Sequence, residues 1–158
     1  MAGITSAMPT SFKKECFTKT HDFGNSASSP IGGDTWKIAL FKASVTGTYG
    51  AATTNYSDMT GNSDEATDTG SPQGYTAGGM TLTNNGATTN STSGIVDFAD
   101  VTITAPTISS DGALIYNSSA SNKAAGVYSF GSTKSASGGD FVITMPAAAA
   151  GTAVLEIA

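Results

Sequence analysis

Short segments with apolar residues at every second position recur along the chain, and turn-forming residues separate them. In the clearest segment Trp36, Ile38 and Leu40 fall on one face of an extended strand, while the intervening residues fall on the other. This period of two is typical of β-strands. Seven segments are predicted as strands: Thr35–Phe41, Tyr75–Thr83, Ile95–Thr104, Ala113–Tyr116, Ala124–Phe130, Asp140–Met145 and Ala153–Ile157.

Turn signals between these segments indicate how the strands are joined. Asn85-Gly86, Asp111-Gly112 and Gly138-Gly139 are predicted turns, and no helical segments alternate with the strands. The sequence therefore predicts an all-β fold, an antiparallel β-sandwich of the jelly-roll or Ig-like type, as a single domain over residues 34–158. Within Ile95–Thr104 the apolar residues change face, which predicts a bulge or a switch of sheet near Asp97–Asp100.

Residues 1–24 are predicted to form an N-terminal arm with a short helix. Between Pro9 and Thr20, the side chains of Phe12, Cys16 and Lys19 recur at helical spacing with Phe17 beside them. Cys16 is expected to be buried as a small hydrophobic residue.

The start of this helix carries both a cap and two unfavourable charges. Thr10 or Ser11 is the expected N-cap. Lys13 and Lys14 lie in the first turn, where a cation opposes the helix dipole. The helix is therefore expected to be short and to depend on docking its aromatic side.

The segment from Gly47 to Gly74 is rich in Gly, Thr, Ser, Asn and Asp and is predicted to be a long surface loop with little regular structure. Its acidic residues are Asp58, Asp64, Glu65 and Asp68. Carboxylates of this kind can bind Ca²⁺, but the spacing of a calcium loop is absent. A solvated loop without a metal is therefore the preferred interpretation.

Charge and residue usage exclude several classes of partner and cofactor. The chain has seven Lys, no Arg and a net charge of −5, which argues against binding nucleic acid through its phosphates. Thr, Ala, Ser, Gly and Asn make up 94 of the 158 residues. One Cys and one His cannot form an internal disulfide or a structural zinc site, so no cofactor is predicted. No signal peptide or membrane span is indicated.

Catalysis is not predicted. His21 next to Asp22 is the one place where an acid-base pair can be imagined, but adjacency does not create a triad, and no nucleophile elbow is present. Apolar and basic groups concentrate only near the N-terminus. Phe12, Lys13, Lys14 and Phe17 are therefore the predicted partner contacts, with capping of one end of the sandwich as the alternative role for this helix.

The order of segments resembles a widespread family of small virion proteins of tailed bacteriophages. The resemblance covers residues 10–158 and includes the runs Tyr-Thr-Ala-Gly-Gly from Tyr75 and Ala-Leu-Ile-Tyr-Asn from Ala113. The segments that carry it are Thr10–Glu15, Thr20–Phe23, Thr35–Phe41, Tyr75–Thr83, Val96–Val101, Gly112–Asn117, Asn122–Ala124 and Asp140–Pro146. It implies a location in the virion, and it carries no catalytic residues.

Three features differ from the family pattern. Relatives often have Arg where this chain has Asp111, and often Leu where it has Cys16. The segments Asn25–Gly33 and Ser57–Gly74 are longer than usual, which indicates elaborated distal loops on a retained β core.

Two structural functions follow as expectations. The first is a capsid decoration, or cement, protein on the outer surface of the virion head, assembled in the host bacterial cytoplasm. It would contact the major capsid protein or other virion proteins, with a homotrimer favoured. The alternative is a head-fibre, tail-fibre or baseplate component that contacts host glycans through Ser57–Gly74. A glycan-processing enzyme is the third and weakest interpretation.

Overall fold

The computed structural model describes residues 2–24 and 33–158 of the chain. The all-β prediction is confirmed, since strands dominate and nearly all strand pairs are antiparallel. The strands are β1 (Gly3–Ile4), β2 (Trp36–Lys42), β3 (Thr48–Tyr49), β4 (Met80–Thr81), β5 (Asn84–Asn90), β6 (Ser93–Phe98), β7 (Val101–Ile103), β8 (Thr107–Asn117), β9 (Lys123–Ser137), β10 (Phe141–Ile143) and β11 (Leu155–Ile157). The helices are α1 (Thr10–Phe17) and α2 (Tyr56–Gly61).

A four-stranded antiparallel sheet, in the order β4-β2-β8-β9, forms the centre of the fold. The predicted alternation in β2 is confirmed, and both of its faces are buried. Trp36, Ile38 and Leu40 belong to the larger hydrophobic core, whereas Ala39 and Phe41 belong to a smaller core. The central sheet is therefore covered on both sides, which explains why β2 contains few polar residues.

Side chains from a second sheet complete the larger core. This three-stranded sheet has the order β11-β6-β5, and its residues Val96, Phe98 and Leu155 join Trp36 and Ile115 of the central sheet. The smaller core is completed by residues that lie between the strands of the central sheet in sequence, including Tyr49 and Met59.

The predicted break in Ile95–Thr104 is confirmed as a switch of sheet. Strand β6 ends at Phe98 and pairs with β5 and β11, whereas β7 begins at Val101 and pairs with β10. Asp97 remains in β6, and Asp100 lies in the connection, where its carboxylate accepts a hydrogen bond from the Met145 backbone N–H. The chain thus changes sheet at the position where its apolar residues change face.

Two predicted turns are wrong. Asn85-Gly86 lies inside β5, where Gly86 forms an irregularity in the pairing with β6. Asp111-Gly112 lies inside β8, where the register shifts between Ser110 and Gly112. In both places the glycine is used for a bulge in a continuing strand, which the dipeptide alone does not distinguish from a turn.

The predicted strand Tyr75–Thr83 is reduced to Met80–Thr81. Two consecutive glycines precede it, and Gly79 has a φ of +71°. A Cβ atom at Gly79 would lie 2.1 Å from the Ile38 carbonyl oxygen, so this turn requires glycine both for its backbone conformation and for its close approach to β2.

Residues 2–24 are packed on the β domain and do not form a free arm. Strand β1 pairs in parallel with β3, and Ala7 forms a bridge with Val127 of β9. Helix α1 ends at Phe17 and not at Thr20, and its N-cap is Pro9 without a side-chain hydrogen bond, so the predicted cap is wrong. The predicted long segment Asn25–Gly33 lies outside the described residues except for Gly33.

The prediction of an irregular, solvated loop from Gly47 to Gly74 is only partly right. This segment contains β3 and the helix α2, whose N-terminus is closed by a reciprocal capping box between Asn55 and Asp58. Met59 of this helix is completely buried in the smaller core. Small and polar residues dominate the segment, so its few apolar anchors give no recognisable periodicity.

Candidate functional site

The outward face of α1 brings together three of the four predicted contact residues. Lys13, Lys14 and Phe17 are exposed, and Phe17 is 86% exposed, the highest value among the large hydrophobic residues of the described chain. Phe12 is 1% exposed and belongs to the larger core, so the structure corrects its place in this set. Phe12 faces inward because it lies on the opposite side of a helix that docks by this ring.

An apolar groove of about 240 Å³ runs beside α1. Phe12 and Cys16, one helical turn apart, form its α1 wall, and the exposed Ile157 of β11 lies on the other side. Its lining residues are Met8, Phe12, Cys16, His21, Phe23, Ala87, Thr88, Gly94, Ile95, Val96, Leu155, Glu156 and Ile157. The outward face of α1 and this groove together form the candidate interaction surface.

Cys16 is half-buried in the wall of this groove. The prediction of a fully buried cysteine is therefore only partly right. Burial, followed by the nearby Glu15 carboxylate, raises the pKa of the Cys16 thiol. A raised pKa keeps the thiol protonated and unreactive at neutral pH.

A partly buried polar network anchors α1 to the β domain. Lys123 Nζ donates to Glu15 Oε1 at 2.5 Å, and His21 Nε2 lies 2.9 Å from Glu15 Oε2. Asn117 Nδ2 donates to Asp34 Oδ2 at 2.6 Å and lies 2.9 Å from His21 Nδ1. Because the amide nitrogen can only donate, Nδ1 accepts and Nε2–H donates to Glu15.

The same network explains the position of His21, the single histidine of the chain. The His21 side chain is completely enclosed, and its ring lies against three aromatic rings, those of Phe12, Phe23 and Trp36. The carboxylate of Asp22 accepts from the Gly24 backbone N–H, so Asp22 is not the partner of His21. The acid-base pair of His21 and Asp22 therefore does not form. His21 instead connects α1 to β8.

Glu15 is the carboxylate that joins α1 to this network. Burial acts to raise the pKa of Glu15, but the hydrogen bonds from Lys123 and His21 outweigh it, so the pKa lies below its usual value. Glu15 was not a predicted site residue. Its position three residues after Phe12 on the same helix face is the sequence signal for its inward orientation.

Asp64 holds a second buried network in the segment between β2 and β4. Its carboxylate accepts from the backbone N–H groups of Thr46 and Gly47, from the Tyr49 hydroxyl at 2.7 Å and from Lys42 at 2.9 Å. Burial opposes ionisation, but these donors hold the pKa of Asp64 well below its ordinary range. Burial and the same carboxylate raise the pKa of Tyr49 to about 12.

Glu65 connects two tyrosines to the turn before β4. The hydroxyls of Tyr56 and Tyr75 donate to its carboxylate, and the Gly78 backbone N–H donates at 2.8 Å. The Tyr75 hydroxyl also accepts from the Leu40 backbone N–H at 2.9 Å. Burial, with the nearby carboxylate, raises the pKa of both tyrosines far above the ordinary value.

Asp68 accepts four backbone hydrogen bonds. The donors are the N–H groups of Gly70, Gly74, Tyr75 and Thr107, at 2.7–3.0 Å. Burial acts against the charge, but these donors lower the pKa of Asp68 to about 2. Asp68 therefore fastens the segment before β4 to the start of β8.

The predicted acidic cluster is thus divided among separate structural roles. Asp64 and Asp68 are buried and saturated with donors, and Asp58 caps α2. Within residues 2–24 and 33–158, no group of three or more His, Cys, Asp or Glu side chains is placed to hold a metal ion. The carboxylates of Asp64 and Asp68 each accept four or more hydrogen bonds, which occupy their lone-pair positions.

Asp111 also forms hydrogen bonds within the chain. Its carboxylate accepts from the Ser44 backbone N–H at 2.7 Å and from the Thr133 hydroxyl at 2.5 Å. These bonds join the bulge in β8 to the connection after β2 and to β9.

A second, polar groove of about 670 Å³ lies beside the far end of β9. Hydroxyl side chains form most of its lining, including Thr67 and Thr69 from the predicted distal loop and Ser135 from β9. Lys42 and Glu65 also line it. No sequence pattern indicates this groove, because its residues come from four distant segments.

No protein-family model, curated protein or solved structure matches the chain. None of the helices in the described part of the chain is long and apolar enough to span a membrane.

Proposed function

We propose that this chain is a structural protein of a tailed-bacteriophage virion, specifically a capsid decoration protein on the outer surface of the head. The resemblance in segment order supports the virion class. The structural observation that supports this proposal most directly is the outward face of α1. Phe17 and two lysines are exposed there, on a helix that partly buried hydrogen bonds anchor to the β domain.

The proposed architecture is a two-layer β-sandwich. Supporting this, Trp36 and Ile115 of the four-stranded sheet pack in one core with Val96, Phe98 and Leu155 of the three-stranded sheet. A rigid sandwich is suited to a protein that binds many equivalent lattice positions, because each contact loses little conformational freedom.

The α1 face supports a role in contacts between protein subunits. A large aromatic side chain that remains exposed on a well-anchored helix is typical of an interface anchor. Lys13 and Lys14 flank it and make no ion pair among the described residues, although the whole chain is acidic. The partners we propose are acidic surfaces of virion subunits, namely the major capsid protein, other virion proteins or copies of this chain.

The test is reconstitution on particles assembled without the protein, followed by imaging of the decorated particles. We expect density at repeated positions of the head lattice, and we expect Lys13→Glu/Lys14→Glu to lower the occupancy by at least about tenfold. Lys134→Glu changes an exposed lysine of β9 and is the control for charge. Density confined to the tail or a vertex, or no binding, would overturn the decoration proposal.

The polar groove favours the alternative, an adhesive head-fibre, tail-fibre or baseplate component. Its hydroxyl lining, with Lys42 and Glu65, offers neutral and charged hydrogen-bond groups of the kind that bind sugars. Deleting Ser57–Gly74 would remove Met59 and Asp64 from the interior, so a point variant is the proper test. Thr67→Trp, which fills the groove from an exposed position, should lower binding to host cells, and unchanged binding would reject this alternative.

A further inference from the structure

We propose that the candidate interaction surface is self-complementary, so that Phe17 of one copy of the chain docks into the apolar groove of a second copy. The inference rests on the proposed function in taking the α1 face as a contact surface, and it names the partner of that face.

The apolar groups for this contact lie side by side. Phe12 and Cys16 line the groove, whereas Phe17 is displaced around the same helix by about 100° from Cys16 and about 140° from Phe12. The ring of Phe17 is 86% exposed, and Ile157 at the other side of the groove is 56% exposed. Docking between copies would cover both side chains, whereas a single copy leaves both in water.

The charges beside the groove would also be complementary between two copies of the chain. Lys13 and Lys14 flank Phe17, and Glu156 lies in the opposite wall of the groove. Glu156 Oε2 accepts from the Gly151 backbone N–H at 2.7 Å, and no cation pairs with it within the described residues. A second copy that inserts Phe17 would bring its two lysines toward this carboxylate.

A second copy fits this surface better than a basic or nucleic-acid partner. The chain has a net charge of −5, so a copy offers acidic groups to the basic face of α1. Because Phe17 and the groove share one helix, two copies can exchange these groups reciprocally, as in an isologous contact.

The first test is the molar mass of the purified chain by light scattering and analytical ultracentrifugation. We expect association of the wild-type chain at about 100 µM, and we expect Phe17→Ala to raise the dissociation constant by at least about tenfold, equivalent to 1.4 kcal/mol. Val142→Ala, at another exposed apolar residue (56% exposed), is the matched control and should leave association unchanged. A monomeric wild-type chain, or equal association of Phe17→Ala, would overturn the inference.

The second test is a charge exchange. Lys13→Glu/Lys14→Glu places like charges at the contact between identical copies, and Glu156→Lys does the same with the opposite sign. Each variant alone should associate more weakly than wild type, and an equimolar mixture should recover association because opposite charges meet again. Failure of the mixture to recover, with both variants folded by circular dichroism, would reject the proposed pairing of charges.

The two proposals fail in different experiments. A chain that is monomeric in solution but decorates heads through α1 would overturn this inference and leave the decoration function intact. A chain that associates through Phe17 but never binds particles would support the inference and reject the decoration function.

Discussion

The buried carboxylates determine much of this fold at the scale of single residues. Charged side chains are 12% of the chain, yet Asp64 and Asp68 are among the least exposed residues. Each replaces its hydration with donors from backbone, hydroxyl or ammonium groups, which is the condition for burying a charge without a large penalty. The segment between β2 and β4 is thus ordered mainly by hydrogen bonds, with few apolar anchors.

Asp64→Asn should destabilise the protein. The amide keeps one acceptor oxygen but presents an NH₂ group to the remaining donors, so at least one buried donor loses its partner at a cost of about 1–3 kcal/mol. With the loss of the Lys42 contact, we expect the free energy of unfolding to fall by about 2–4 kcal/mol in urea titrations. Asp97→Asn, which changes one partly exposed contact with Asn85, is the control. Equal effects of the two substitutions would contradict the structural role of Asp64.

The lowered pKa values of these carboxylates predict acid sensitivity. The pKa of Asp68 is about 2 in the folded chain, against 3.8 for an ordinary aspartate, and Asp64 is shifted in the same direction. A lowered folded-state pKa stabilises the protein above the unfolded value, and this stabilisation is lost as the pH falls. We expect the melting temperature to decline between about pH 4 and pH 2, and Asp68→Asn to decline less steeply. Parallel curves for both proteins would count against this explanation.

The positions of these acidic residues are visible in the sequence, but their role in the fold is not. The spacing of Asp64, Glu65 and Asp68 is not that of a calcium loop, and it contains no information on the backbone N–H groups that converge on these carboxylates. His21 is a similar case. Its partner Asn117 is 96 residues away and could not be inferred from the sequence.

At the scale of elements, the Glu15 carboxylate and the Phe12 ring both hold α1 on the β domain. Glu15→Gln removes the charge that Lys123 and His21 share, so α1 should open more often from the β domain. We expect the rate of amide hydrogen exchange in α1 to rise by roughly tenfold, as for the loss of a charge-assisted hydrogen bond. Lys13→Gln, on the exposed face of the same helix, should leave the rate unchanged. An unchanged rate in Glu15→Gln would show that Phe12 alone is sufficient.

The turn before β4 allows a matched pair of glycine substitutions. Gly79 and Gly131 have φ values of +71° and +73°, but only at Gly79 would a Cβ atom meet the neighbouring strand. Gly131→Ala should cost about 1 kcal/mol for backbone strain alone, whereas Gly79→Ala should cost more than about 2 kcal/mol. Thermal unfolding of the two variants measures the difference. Equal losses would mean that β4 can move away from β2 at no cost.

Elements with strong apolar alternation were predicted well, and polar ones were not. Strands β2 and β6 follow from their patterns, as does the switch of sheet before β7. Strand β5 has the sequence of a loop, because most of its residues are exposed and its stability comes from pairing with β6. At Tyr75–Thr83 a long strand is predicted, but only Met80–Thr81 forms one. Tyr75 is buried there as a single anchor and not as part of a strand.

At the scale of the whole molecule, the central sheet links the two cores. Strands β2 and β8 contribute alternate residues to both, so neither core can separate from the sheet without exposing the other face. We therefore expect one cooperative unfolding transition. Trp36 fluorescence reports on the larger core, and the ring NMR signals of Tyr49 and Tyr116 report on the smaller core. Two resolved midpoints would show that the cores unfold independently.

The anchoring of α1 on β9 also determines when the chain can finish folding during synthesis. Glu15 and Lys123 are 108 residues apart, so at about 5–20 residues per second the ribosome needs several seconds to supply the partner of α1. Until then Phe12 can pack only against the earlier members of the larger core, without those of β9 and β11. Translation products that stop before Lys123 would keep this helix undocked, so only chains that reach β9 would carry a positioned Phe17.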